Sequence, residues 1–298
     1  MPVYKDVPPE IATELDVLVR EYEWLLKTQA IKVFQQVDRV LRDCCGRLPL
    51  PSKQGTFGSS HPQLGLQPEK FTLVSRNNDA VRCVLTLMGD NIVQAEVAIR
   101  YPKAPGHVFR SVAQPDVQWK LQQVQDVANY IQGALHSVNT AEEHVTQMMT
   151  TDCGSLSPSK TVELGSDVMR VANQVTLDLQ QARQCLTMPK KRSLTELIEY
   201  HPNKCFNPAL PPDLPLSLYV LSNKLMCAAY HLQPSSNTGG KQTFVVHQGE
   251  CQVQWLTDVL GQLALALQLV QQLNDKLMVF DQCDELKTAL DHTAGVNR

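Results

Sequence analysis

The sequence predicts an α+β fold that is mostly α: an elongated antiparallel four-helix bundle with a smaller β-lobe built from two insertions between helices. Three observations predict it. Long stretches place apolar residues at alternating steps of four and three, the spacing that draws one line along a helix. Two intervening stretches alternate apolar and polar residues with period two, the spacing of a half-buried strand. The order is helix, strands, helix, helix, strands, helix, so each strand-rich stretch connects two long helices that have apolar stripes to bury.

The first helix is expected from about Pro9 to Cys45. Ile11, Leu15, Leu18, Tyr22 and Leu25 form its first stripe, which slips by one residue to Leu26, Ala30, Val33, Val37, Val40 and Cys44. Pro8 and Pro9 suit a helix start and Gly46 an end. The second helix, from Pro115 to about Met149, has the most regular seam: Val117, Leu121, Val124, Ala128, Ile131, Leu135, Val138, Glu142, Val145 and Met149. Only Glu142 is polar there, and it is expected where the bundle opens to water. The third runs from about Ser159 to Met188 on Leu164, Val168, Val171, Val175, Leu179, Ala182 and Leu186, and Pro189 stops it. A short helix follows at Leu194 to Tyr200. The fourth long helix is expected from Gln252 to Leu290, with Leu256, Leu260, Leu263, Leu267 and Val270 on one stripe and Leu273, Leu277 and Phe280 continuing it after a one-residue shift. Asn274 is read in the same way as Glu142. Around Leu263 to Val270 this helix is apolar nearly all round, which favours several helical neighbours over a two-stranded zipper.

Strand periodicity appears at Phe71 and Leu73, at Val81, Cys83, Leu85 and Leu87, and at Val93, Ala95, Val97, Ile99 and Tyr101, with Gly89-Asp90-Asn91 as a hairpin turn. The second insertion offers 214–221 and 225–232 around Ser222-Asn223-Lys224, and a last strand at 243–246. The expected division is a helical domain of 1–48, 114–201 and 251–298, a β-domain of 68–112 and 205–250, and a Gly-, Ser- and Pro-rich loop at 49–67.

Composition narrows the function classes. With 298 residues, 43% hydrophobic and 19% charged, the chain is globular rather than disordered. A net charge of −3 leaves no general basic field for nucleic acid or anionic lipid. Lys190-Lys191-Arg192 is the one basic cluster, read as a solvated loop. The nine cysteines are odd in number and contain no CxxC, so they read as reduced thiols of an intracellular protein. No apolar stretch reaches the ~20 residues of a membrane span, and the N-terminus has no basic segment followed by an apolar one.

The motifs of common chemistries are absent. There is no GxxxxGK[ST], no GxGxxG after a strand, no HExxH and no GxSxG. The eight histidines are scattered; His136 and His144 share a helix without a carboxylate at metal spacing. No catalytic residue, cofactor or metal is expected, and the chain is read as a non-enzyme. The residues singled out are the bundle core (Leu121, Val124, Ile131, Leu135, Val175, Leu256, Leu260, Leu263 and Leu267) and three aromatic anchors or interface residues, Trp24, Trp119 and Trp255. A zipper transcription factor needs a basic helix leading into the zipper; the segment 243–252 before the fourth helix has no Arg or Lys.

The strings EYEWLLK (21–27), QWKLQQVQD (118–126), FNPALPPDL (206–214), SNKL (222–225) and WLTDVLGQLALALQLVQQLNDKLMVF (255–280) resemble the Rogdi family in order along most of the chain. The resemblance implies a leucine-zipper-like helical bundle joined to a β-domain. It also implies a non-catalytic scaffold or adaptor subunit of the RAVE, or rabconnectin, assembly, which promotes V-ATPase assembly and acidification of organelles and synaptic vesicles, with a role in the nervous system. The partner would be a rabconnectin-type subunit and, through it, the V-ATPase, with no direct contact to nucleic acid, no integral membrane segment and a monomer in isolation. The location implied is cytoplasmic and peripheral to organelle or synaptic-vesicle membranes, with the nuclear envelope or nucleus as a second site. The competing expectation is a nuclear leucine-zipper-like protein controlling transcription or proliferation through protein contacts.

Overall fold

The structure, a computed structural model, describes residues 9–48, 67–76, 79–114, 119–151, 158–190, 192–199, 204–233, 243–284, 286, 287 and 290. Among these residues nine strands form one antiparallel sheet in the order β6-β4-β3-β2-β1-β9-β8-β7, with β5 pairing β3 off that path. The strands are β1 (Glu69–Val74), β2 (Val81–Met88), β3 (Asn91–Arg100), β4 (Val108–Ala113), β5 (Trp119–Lys120), β6 (Phe206–Asn207), β7 (Leu216–Leu221), β8 (Lys224–Gln233) and β9 (Thr243–Gln252). The helices are α1 (Pro9–Trp24), continued through a π-helical turn (Leu25–Ala30) into α2 (Ile31–Arg47), then α3 (Gln122–Thr151), α4 (Pro158–Thr187), α5 (Leu194–Glu199) and α6 (Gln254–Asp281).

This corrects the expected fold class. The molecule is not a mainly helical four-helix bundle with a small β-lobe; among the described residues it has a large antiparallel sheet curled into a half-barrel beside five helices, counting α1 and α2 as one through the π-helical turn. Periodicity underestimated the sheet because much of it is not cleanly alternating. β4 exposes Val108 and Val112, and β5 and β6 are only two residues each. β9 runs on through His247-Gln248-Gly249-Glu250-Cys251, where no alternation marks a strand. The pairing of Val74 with Glu250 then joins the strands of both insertions into one sheet.

By contacts the chain forms two compact units, each discontinuous in sequence. One comprises Met1–Cys44, Asn129–Gln181 and Gly261–Arg298, the other Cys45–Ala128 and Ala182–Leu260. The second unit holds the whole sheet and is the larger.

In the helical unit, the one-residue slip in the first stripe has a structural cause. The π-helical turn inserts one extra residue into the helix, so Leu25 and Leu26, adjacent in sequence, are both buried. Beyond it the buried line is Ala30, Phe34, Val37, Leu41 and Cys44, while Val33 and Val40 are half-buried. Polar cross-links join the helices: Gln35 Nε2 donates to Glu142 Oε1 at 2.6 Å, and Asn274 Nδ2 to Asn173 Oδ1 at 3.2 Å and Thr176 Oγ1 at 3.4 Å. Glu142 and Asn274, the polar interruptions of two stripes, thus make hydrogen bonds between helices.

In the sheet unit, β2 and β3 turn on two residues, with Gly89 at φ 67°, a left-handed backbone that glycine adopts without a Cβ penalty. The register shifts after Thr86: Thr86 faces Gln94 but Leu87 faces Ile92, leaving Val93 as the extra residue of a β-bulge. The bulge reverses the phase, so Ile92 is buried on one side of it and Ala95, Val97 and Ile99 on the other. β1 meets β9 at a single pair, Val74 with Glu250, beside Gly249. A Cβ on Gly249 would lie 3.3 Å from the Leu73 carbonyl carbon, so close backbone approach selects glycine there.

Candidate functional site

The helical unit carries an open cleft of about 480 Å³ lined by Tyr22, Val162, Gly165, Leu177, Phe280 and neighbouring residues. Tyr22 dominates it. Its ring lies 5.2 Å from that of Phe280, and its hydroxyl occupies the space a Cβ on Gly165 would need, 1.8 Å from that position. Burial, and then Asp281, push the Tyr22 phenol up to about 12, so it stays protonated and acts as a packed aromatic. A second cleft of about 370 Å³ holds His136 and His144. There His144 Nδ1 lies 3.6 Å from Asp167 Oδ2, and Arg170 Nη2 donates to the other oxygen of that carboxylate, Oδ1, at 3.0 Å. An arginine on the same carboxylate makes this an ion-pair cluster rather than a base aimed at a nucleophile. Among the described residues no group of three or more His, Cys, Asp or Glu side chains is placed to hold a metal ion.

In the sheet unit the polar clusters tie segments together. Asp213 accepts from Tyr101 Oη at 2.7 Å and from Lys103 Nζ at 2.6 Å. Burial pushes the Asp213 carboxyl up, but the hydrogen bonds from Lys103 and Tyr101 outweigh it and hold the group below the usual carboxylate value. The Tyr101 ring also packs edge-on to Phe109 and His231. Cys83 on β2 and Cys227 on β8 are fully buried and face each other; the hydrogen bond with Cys83, and then burial, push the Cys227 thiol well above the usual thiol range.

The strands flanking β8 differ at their outer edges. On β7, the Gln123 side-chain amide works as a strand substitute: its Oε1 accepts from Val220 N–H at 2.8 Å, and its Nε2 donates to Val220 O at 2.9 Å and Cys185 O at 2.7 Å. Next to it, Ser222 N–H donates to Leu186 O at 2.8 Å. On β9, Phe244, Val245 and Val246 are 51%, 41% and 37% exposed, three apolar residues in a row on a strand that, among the described residues, is paired along its length by β8 but at one residue only by β1. This edge is the surface best suited to contact another chain. It lay within the expected 243–246 strand, but period-two reading registers strands and not which of their edges stay unpaired.

The residues singled out from the sequence fall as follows. Leu121, Val124, Ile131, Leu135, Val175, Leu256, Leu263 and Leu267 are buried; Leu260 is half-buried, because Val259 takes the inward position on α6. The three tryptophans separate. Trp119 lies not in a helix but in β5, paired with Ile92, its ring 5.9 Å from Phe206 and nearly perpendicular to it. The expected helix start at Pro115 is thereby corrected to Gln122, since the β3 pairing takes the chain as strand; residues 115–118 lie outside the described residues. Trp24 is 55% exposed. Trp255 is half-buried, its indole N–H without a partner among the described residues. The loop expected at 49–67 lies outside the described residues except for Gln67, as does Lys191. No helix among the described residues is long and apolar enough to cross a membrane.

A helical unit and an antiparallel sheet unit, alternating along the sequence, define a two-unit α+β protein, and comparison with known sequences narrows it. The family described as "Rogdi leucine zipper containing protein" matches residues 21–292. The Drosophila melanogaster protein named Protein rogdi is 34% identical over 280 residues, covering 94% of this chain and 93% of that protein. The Homo sapiens Protein rogdi homolog is 32% identical over 293 residues, covering 90% and 94%. The Caenorhabditis elegans homolog is 32% identical over 255 residues, covering 84% of each. The chain belongs to the Rogdi family.

Proposed function

We propose that this chain is a non-catalytic scaffold subunit of the rabconnectin, or RAVE, assembly that promotes joining of the two sectors of the V-ATPase. The observation that carries the reading is the family match, which runs through the helices and the sheet alike, from residue 21 to 292. The chemistry is in keeping with it. The clusters of titratable groups described above pair with each other or tie segments together, and the apolar stripes point into the chain's own core. What such a molecule offers is surface: the helix faces outside those stripes and the outer edge of β9.

The test is a clean deletion combined with affinity purification of the tagged full-length chain. The expected outcome is co-purification of a rabconnectin-type protein and slower re-acidification of organelles after the V-ATPase sectors have been separated. Normal acidification kinetics in the deletion would overturn the proposal. A nuclear zipper reading predicts a dimer through Leu256, Leu263 and Leu267, yet these side chains are buried within the single chain.

A further inference from the structure

β9 is interior in the order of the sheet, but only one of its sides is fully paired. β8 runs beside it without a break in register, from Gln233–Thr243 to Lys224–Gln252. On the other side β1 reaches it at the single pair Val74 with Glu250. Beyond that pair, Ser75 Oγ donates to the Gln248 carbonyl at 2.7 Å. The Gln248 carbonyl therefore faces away from β8. In an antiparallel ladder the backbone groups of alternate residues face the same way. The N–H and C=O of Val246 and Phe244 thus also face away from β8, and no strand among the described residues takes them.

Three further features separate this stretch from an ordinary sheet margin. First, natural edges are blunted with lysine, proline or a bulge; Thr243 to Gly249 contains no charged residue and no proline, and its ladder has no bulge. Second, Phe244, Val245 and Val246 are exposed in succession, so both faces of the strand present apolar surface beside the unpaired backbone. Third, the charge at the end of the open stretch is on balance basic: Arg76, its side chain 68% exposed, and Lys224 both pair with the single carboxylate of Glu250.

These features specify the occupant. Unpaired N–H and C=O groups at strand spacing are satisfied by an extended backbone, the mode known as β-augmentation. The open stretch is about five residues, or ~17 Å at strand rise. Two folded copies meeting along so short an edge fall well below the ~1,200 Å² of a stable interface, whereas a linear segment of another protein needs no more than the edge itself. We propose that the outer edge of β9 from Phe244 to Gln248 takes an extended segment of a partner protein, apolar at alternate positions and acidic where it passes Arg76. This deepens the scaffold reading above and rests on it for the nature of the partner.

The test uses the full-length chain and a synthetic acetylated peptide, Asp-Val-Thr-Val-Thr-Val-Asp, with residue-resolved amide hydrogen exchange as the readout. In the free chain the amides of Phe244 and Val246 exchange at least about tenfold faster than those of Val245 and His247, whose N–H groups bond to β8. Saturating peptide slows the first pair and leaves the second unchanged. The same peptide N-methylated on alternate residues fails to protect in one of the two methylation phases. Val246→Pro removes an outward N–H without touching the β8 ladder, and peptide binding weakens by about tenfold; Val246→Lys is the second variant should the proline disturb folding. Slow exchange of Phe244 and Val246 in the free chain would mean that the protein covers its own edge, and overturns the proposal. So does unchanged exchange with peptide, or protection that rises with protein concentration alone, which would make a second copy the occupant. Co-purification separates this proposal from the scaffold reading. A rabconnectin-type protein captured equally by wild type and Val246→Pro refutes the edge and spares the scaffold. No capture by wild type refutes the scaffold, while the peptide measurements still decide the edge.

Discussion

β7 and β9 lie on either side of β8, and their outward edges are finished in opposite ways. The β7 edge is closed by a side chain: Gln123, one residue into α3, holds both backbone groups of Val220 and the carbonyl of Cys185. Among the described residues the β9 edge is left open beyond a single pair with β1, and it presents three exposed apolar residues. Both strands use the same partner on their inner side, so pairing with β8 cannot account for the difference. It lies in what the rest of the chain supplies. A helix terminus beside β7 brings an amide with a donor and an acceptor at peptide spacing, while β1 contributes one residue pair and a serine hydroxyl. An edge closed this way is fixed for folding, and an edge left open is available for binding.

That contrast can be broken by substitution, and the largest effect belongs to the closed edge. Gln123→Ala strips partners from three backbone groups in a part-buried setting, where an orphaned group costs about 1–3 kcal/mol. A loss of about 2–3 kcal/mol in urea unfolding is expected; a change below about 0.5 kcal/mol would show that water replaces the amide and that the β7 edge is not truly closed. Next is the junction that ends the open stretch. In Gly249→Ala a Cβ would press on the backbone of Leu73 and Val74 at 3.3–3.4 Å, and backbone yields less readily than a side chain. The expected cost is about 1–2 kcal/mol, with faster amide exchange at Val74 and Glu250 as β1 draws away from β9. An unchanged unfolding midpoint would mean that this contact relaxes freely.

The smallest effect concerns pH. Glu250 is pushed up by burial, but hydrogen bonds from Lys224 and Arg76 outweigh that and hold it below its ordinary value of 4.5. A carboxyl lowered in the folded state adds stability above its ordinary value and loses it as pH falls through the folded one. The gain is small because the half-buried carboxylate still reaches solvent, which screens it. In Glu250→Gln the melting temperature should therefore fall slightly less than in wild type between pH 5 and 3, after allowance for the offset at neutral pH. Identical slopes would remove Glu250 from the forces holding β1 against β9.

How much of this could be read from the sequence depended on whether a residue's role was periodic. The one-residue slip at Leu25 and Leu26 was visible as a break in a stripe, and it marks the π-helical turn. The hairpin at Gly89 was visible because alternating runs flank a turn residue. The bulge at Val93 was not, since an inserted residue reverses the phase and leaves each half-strand looking regular. β4, β5 and β6 escaped because two of them are only two residues long and the third exposes its valines. The sheet was therefore taken for a small lobe. Gln123 was legible only as a polar position on an amphipathic helix; its partners are 62 and 97 residues away, and no local pattern encodes them. Trp119 was misplaced for a related reason: it sits between Val117 and Leu121 of a seam with helical steps, but long-range pairing with Ile92 decides its backbone. The open edge of β9 is the extreme case, a matter of pairing that no described strand supplies.

The Tyr22 hydroxyl seated over Gly165 has a consequence for how the helical unit can move. One residue of travel along α4 turns its surface by about 100° and would bring Leu164 or Ser166 beneath the phenol, where no room exists. The contact therefore works as an axial stop: α4 can tilt about the tyrosine, but it cannot ratchet past α1 by a single step without first expelling the ring.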